Sequence, residues 1–124
     1  MEVASSRLGV IEMYESTLQS VLFDACKIDW LNLRGSKLDD VTFRHCQFGD
    51  LDISSATARR VRFEDCTVGT LTVDDARLAD VDLRDARIGT VSNLEGLRGT
   101  TVTEAQALGL LPAFAKHFGF AIDG

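Results

Sequence analysis

No stretch of this chain approaches the roughly 18 consecutive apolar residues of a membrane helix, and its N-terminus lacks the basic-then-apolar layout of a secretory signal. These two absences make the cytoplasm the expected location and leave no membrane partner to expect. Proline occurs once and glycine ten times in 124 residues, too few for a disordered or collagen-like chain. Positive charge is short as well: 13 Lys and Arg face 19 Asp and Glu, a net charge of -6. Direct binding of nucleic acid is therefore not expected, whereas a basic partner surface is compatible with the charge. A glycine-rich phosphate loop is missing too. At this length the chain is expected to form one domain around a modest core.

What the chain has is a rhythm. From Ser16 to Thr90 it divides into fives without insertion, and the third residue is apolar throughout, from Leu18 and Phe23 to Leu83 and Ile88. The first residue is small or aliphatic, while the second, fourth and fifth are mostly polar. Two inward and three outward positions per five suit neither a helix, with its period of about 3.6, nor a plain strand, with a period of about 2. The chain must turn a corner every five residues. Four such edges close a square coil, with coils stacked about 4.8 Å apart.

A second period, of twenty residues, supports that closure independently. Val21, Val41, Val61 and Val81 fall in one column; Cys26, Cys46, Cys66 and Ala86 fall in another; Leu31, Leu51, Leu71 and Val91 in a third; Ser36, Ala56 and Ala76 in a fourth. Inside, Phe23, Phe43, Phe63 and Leu83 are expected to stack beside Ile28, Phe48, Val68 and Ile88. Outside, Asp24, Arg44, Glu64 and Arg84 form a column of alternating sign, which marks register more than stability. Ala58 stands where Leu18, Leu38 and Leu78 stand in other coils, so a local cavity or an inward bend is expected there.

Units such as ARLAD, VDLRD and ARIGT resemble the pentapeptide repeat family, whose motif is A(D/N)LXX, over about residues 6 to 92. The resemblance implies an all-β solenoid, a right-handed quadrilateral β-helix of about 4 to 5 coils with a packed interior. Residues 1–92 are assigned to this β-helix and residues 93–124 to a short C-terminal helical cap and tail.

At the N-terminal end, Val3, Leu8, Ile11 and Met13 keep the inward frame. The coil is expected to begin at the first residue with no cap before it, leaving a sheet-like end that is frayed, covered, or continuous with a longer solenoid. Tyr14, Leu22 and Trp30 take outward positions in the first coils, and such residues are favoured interface anchors. Beyond Val91 the frame decays: Asn93 replaces an apolar third residue, and Gly96 and Gly99 are expected to loosen the chain. Thr103 and Gln106 read as a capping box opening a helix that Gly109 ends. Pro112 opens a second helix running to about His117, with Gly119 as its stop. Leu108, Leu110, Leu111, Phe114 and Phe118 give this segment an apolar face, and Phe120 to Ile122 are expected to add an extended piece. In members of the resembled family that dimerise, the C-terminal segment is often the contact. A homodimer through the cap, or through the N-terminal coil end, is therefore open, and the candidate interaction residues are Tyr14, Leu22, Trp30, Phe114, Phe118 and Phe120.

The chemistry-bearing residues offer little else. The three cysteines lie one above another facing inward, an arrangement that is no disulfide framework and provides no convergent zinc ligands, since His45 points out. No nucleophile is placed beside His45 or His117. The pairs Asp39 with Asp40 and Asp74 with Asp75 face water. No catalytic residue, cofactor or metal is expected. Some relatives implied by the resemblance mimic duplex DNA, present acidic rods to type II topoisomerases and protect DNA gyrase from quinolones. Asp50, Asp52, Asp65, Asp74, Asp75, Asp80, Asp82 and Asp85 are outward, yet Arg59, Arg60, Arg62, Arg77, Arg84 and Arg87 interrupt them. About five coils make a rod only about 24 Å long. The leading expectation is a non-enzymatic protein-interaction module of unknown partner; the alternative is a DNA-mimicking regulator of gyrase or topoisomerase.

Overall fold

Corners arise where the last residue of a five leaves the extended region of backbone space. In the computed structural model, which describes residues 1–123, Ser20, Ala25, Asp40, His45, Ser55, Arg60, Asp65, Asp75 and Asp80 have φ between 49° and 58°. That left-handed conformation is uncommon for a residue with a Cβ, and Asp and His tolerate it better than most. The corner at Val10, Trp30, Asp50 and Thr70 turns without a left-handed residue.

Between corners the chain is extended and pairs only with the coils above and below. One parallel sheet contains β1 (Glu2–Ala4), β3 (Thr17–Asp24), β5 (Lys37–Arg44), β7 (Thr57–Glu64), β9 (Arg77–Asp82) and β11 (Thr100–Thr101), in that order. The other contains β2 (Arg7–Glu12), β4 (Lys27–Asn32), β6 (Gln47–Asp52), β8 (Cys66–Thr72) and β10 (Ala86–Val91). Register joins residues twenty apart: Phe23 to Phe43 to Phe63, and Ile28 to Phe48 to Val68 to Ile88. The result is a right-handed quadrilateral β-helix of about five turns. The lattice continues past residue 92, because β11 adds to β9, now with Thr100 opposite Val81 and one residue fewer in the turn.

The interior is filled by the repeated apolar positions. Phe43 stacks between Phe23 and Phe63 at 5.0 Å on each side and meets Phe48 edge-on at 5.4 Å. Burial of one such ring contributes about 1.5–3 kcal/mol relative to exposure. Polar atoms among them are satisfied: the buried Ser36 hydroxyl donates to the Met13 carbonyl at 2.9 Å and accepts from the Ser16 amide at 3.0 Å. Ala58 keeps its register with Leu38 and Leu78, so no inward bend occurs. The cavity expected beside it shrinks to a void of about 10 Å³ among Phe43, Phe63 and Leu83.

Three expectations about the ends are corrected, and the outer column keeps its register. Along it Asp24, Arg44 and Glu64 stand on successive rungs, but only Arg44 and Asp24 pair, at 3.1 and 3.3 Å, whereas Arg84 turns to Asp82 at 2.9 Å and Glu64 pairs with Arg62 at 3.6 Å. An arginine reaches a carboxylate two residues away as readily as one a coil away. Gly96 and Gly99 tighten the chain where they were expected to loosen it, since a Cβ on Gly96 would stand 2.1 Å from the Val73 carbonyl oxygen and one on Gly99 1.8 Å from that of Leu78. Their missing side chains let a 3-10 turn, Leu94–Leu97, lie directly on the last coil. Finally, α1 (Glu104–Gly109) and α2 (Leu111–Phe118) form, with the Thr103 and Gln106 capping box and with Gly119 left-handed at φ 75° as the stop. Their apolar face closes the end only in part: Leu110 shares a cavity with Leu83, Ile88 and Val91, and Phe114 is half-buried, but Leu108, Leu111 and Phe118 are exposed, and Leu97 and Val102 pack on the core beside them. Phe120 to Ile122 pair with no strand.

Candidate interaction surface

Because each wall takes five residues per coil, position in the frame decides which side chains share a surface. Tyr14 lies on the wall of residues 11–15 and Leu22 on the wall of residues 21–25, two edges of the square apart. Trp30 stands at the corner that closes the wall of residues 26–30. The structure therefore does not gather the three into one patch. Tyr14 is 56% exposed and Trp30 39%, while Leu22 is half-buried between Glu2 and Thr42. Trp30 does have an apolar neighbour: Val10, directly in register below it, is also exposed. Val10 shares the outward column of Trp30, and that column was the available signal.

At the other end, Phe114 and Phe118 stack with ring centres 6.5 Å apart, one half-buried and the other exposed. His117 meets the Phe118 ring edge-on at 4.9 Å and reaches Glu95 at 3.7 Å, which ties α2 to the 3-10 turn. Phe120 and Ile122 are exposed as well, so the cap surface carries Leu108, Leu111, Phe118, Phe120 and Ile122 outward. The first coil is open in its own way: Val3, Leu8, Ile11 and Met13 are half-buried around a cavity of about 140 Å³.

Charge is sorted by wall, which a reading along the chain hides. On the wall of residues 11–15, 31–35, 51–55 and 71–75, Glu12, Glu15, Asp52, Asp74 and Asp75 stand against Arg34 alone. None of the five forms an ion pair among the described residues; Asp52 accepts from the Ser54 amide at 2.9 Å and Asp74 from the Ser92 hydroxyl at 3.3 Å. On the walls of residues 36–40 and 41–45 and their stacked equivalents, arginines bind Asp24, Asp39, Glu64 and Asp82, while Glu2, Asp40, Asp80 and Asp85 form no ion pair among the described residues. Arg60 and Arg59 both bind Asp39, at 2.9 Å through Arg60 Nε and 3.2 Å through Arg59. His45 at 3.0 Å and Arg87 at 3.2 Å share Asp65. These hydrogen bonds hold the Asp39, Asp65, Asp24 and Asp82 carboxyls below the usual aspartate range, through Arg60, His45, Arg44 and Arg84 respectively.

The cysteines form a buried ladder of free thiols. Cys46 Sγ donates toward the Phe23 and Arg44 carbonyls at 3.4 and 3.3 Å, and Cys66 Sγ toward that of Phe43 at 3.1 Å. Contact with Cys66, and then burial, push the Cys46 thiol up, and burial does the same to Cys26, while the contact with Cys46 moves Cys66 down. Thiols held protonated, as Cys26 and Cys46 are, make poor nucleophiles and poor metal ligands. Among the described residues no three His, Cys, Asp or Glu side chains are grouped to hold a metal ion, and no helix is long and apolar enough to cross a membrane.

A family profile described as a pentapeptide repeat region matches residues 7–73. No curated protein matches the chain. Among solved structures, two trypsin-treated variants of QnrB1, described as a plasmid-mediated fluoroquinolone resistance protein, align over 100% of this chain. They do so over 100% and 92% of their own chains, at 12% identity and with TM-scores of 0.34 and 0.26.

Proposed function

The chain belongs to the pentapeptide repeat family, and from that premise we propose that it is a non-enzymatic protein-interaction module of the cytoplasm. One observation carries this reading: on the wall of residues 11–15, 31–35, 51–55 and 71–75 five acids stand against Arg34 alone and none is ion-paired, with Tyr14 exposed among them. Such a wall suits a protein partner with a basic surface, because complementary potentials steer encounter and penalise wrong partners. Capture with the immobilised chain from its native host tests it. A partner retained by the natural chain and lost by the Asp74→Asn/Asp75→Asn variant is the expected result. Equal capture by both chains would remove the wall from the interface.

The same wall favours a second reading, regulation of DNA gyrase or another topoisomerase by mimicry of duplex DNA, since an acidic surface competes for a basic DNA channel. A supercoiling assay decides between the two: dose-dependent change in gyrase activity supports mimicry, and unaffected gyrase at excess protein rejects it. We further propose a homodimer through Leu111, Phe118 and Phe120 on the cap, the N-terminal coil end being the other candidate. Sedimentation of the natural chain at dimer mass, and of Phe118→Glu at monomer mass, is the expected outcome; a Phe118→Glu dimer would move the contact elsewhere.

A further inference from the structure

The wall formed by residues 56–60 and 76–80 ends in a depression of about 560 Å³, within the size range of small-molecule sites. Its origin is the glycine pair that closes the solenoid. In lower coils the inward positions of this wall are covered, as Ala56 and Leu38 are. Past Ala76 and Leu78 the returning chain places Gly96 against Val73 and Gly99 against Leu78, neither with a side chain, and Ala76 and Leu78 remain only half-buried. An apolar floor is thus left open to solvent.

Around that floor stand three guanidiniums, Arg59, Arg77 and Arg98. Arg59 shares Asp39 with Arg60. No carboxylate pairs with Arg77 or Arg98 among the described residues. In the column that runs Asp39, Arg59, Ala79, alanine takes an outward position amid charged neighbours, and Arg98, just before β11, lines the same depression. The small side chain makes a notch between two arginines. Asp75 and Glu95 also line the depression, at the corner and not along the wall, and their charge would repel a polyanion such as nucleic acid.

We propose that this depression binds a small organic oxyanion, an acidic head on an apolar body. Arg77 and Arg98 take the head, with Arg59 at its edge, because a guanidinium presents paired N–H donors that match carboxylate and phosphate oxygens. Ala76, Leu78 and Ala79 take the body. This site does not depend on the proposed protein partner, whose wall it adjoins only at Asp75.

Isothermal titration of the whole chain at low salt with phenyl phosphate tests the assignment, with inorganic phosphate and phenol as controls. Saturable one-to-one binding of phenyl phosphate at least tenfold tighter than either control is expected. The Arg77→Gln/Arg98→Gln variant should lose at least tenfold with its melting temperature unchanged, and Ala79→Leu, which fills the notch and keeps every charge, should also weaken binding. Arg7→Gln, in the first coil, should not. If the double variant melts early, Arg98→Gln alone supplies the comparison. Absence of saturable heat at millimolar probe, undiminished binding by the arginine variants, or inorganic phosphate binding as tightly as phenyl phosphate would each overturn the proposal.

Discussion

At Gly96 one added carbon would stand 2.1 Å from the Val73 carbonyl oxygen and 2.7 Å from its Cγ2, and neither backbone nor core can retreat that far without parting the coils. Gly96→Ala is therefore expected to destabilise by about 1–3 kcal/mol or more, read as a lower urea midpoint; an unchanged midpoint would mean that the last turn is not seated as described. Ala58 poses the opposite question. Its column of leucines invites Ala58→Leu as a repair, yet the void beside it holds only about 10 Å³. Three extra carbons must then push Phe43, Phe63 or Leu78 aside, and a loss of about 1–3 kcal/mol is expected; a gain in the urea midpoint would show that the wall relaxes outward. Both residues show where reading residues alone stops. A missing methyl or methylene is visible in a column, but whether neighbours fill its space is decided by packing between coils. Gly96 lies outside the five-residue frame, so nothing in the period marks it as the place where two backbones touch.

Elements built from local contacts were the legible ones. Thr103 and Gln106 sit three residues apart, and their capping box needs only the helix they open; Gly119 needs only the turn it ends. What spacing cannot show is the second duty of Gln106, whose Nε2 donates to the Leu83 and Ala86 carbonyls at 2.6 and 2.8 Å, fastening α1 to the solenoid. Thr103→Ala removes one cap and is expected to cost about 1 kcal/mol. Gln106→Ala should cost more, about 2–3 kcal/mol, because it also leaves the part-buried Ala86 carbonyl without its donor and strips one of two from Leu83, which keeps the Ala86 amide. Thermal melting of the two variants checks the order, and an equal loss would reduce Gln106 to its capping role. The apolar face of α1 and α2 was readable as apolar, but not as partly exposed. Leu97 and Val102, delivered by the short turn before it, reach the core first.

At the scale of the whole molecule, the twenty-residue period made the solenoid legible, while the sorting of charge became visible only once outward residues were grouped by wall. That sorting gives the fold a defined response to acid. Asp24, Asp39, Asp65 and Asp82 are each held below their ordinary range by an arginine or histidine partner. A carboxyl with a depressed folded-state pKa binds its proton more readily in the unfolded chain. Its stabilisation is therefore complete above the unfolded value, about 3.9 for aspartate, and is lost as pH falls through the lower folded value. These pairs are largely solvent-exposed, so each contributes little and the effect is collective. The urea midpoint is expected to stay level from neutral pH to about 5 and to fall below about 4. The unpaired acids Glu12, Glu15, Asp52, Asp74 and Asp75 supply an internal contrast, because they repel one another and gain no arginine on folding. Asp39→Asn should narrow the difference in midpoint between pH 7 and pH 3, since it removes a carboxylate bound by two arginines. Asp75→Asn should leave that difference nearly unchanged or widen it. Identical behaviour of the two variants would mean that the acid response belongs to net charge alone, and that the arginine pairs set register without setting stability.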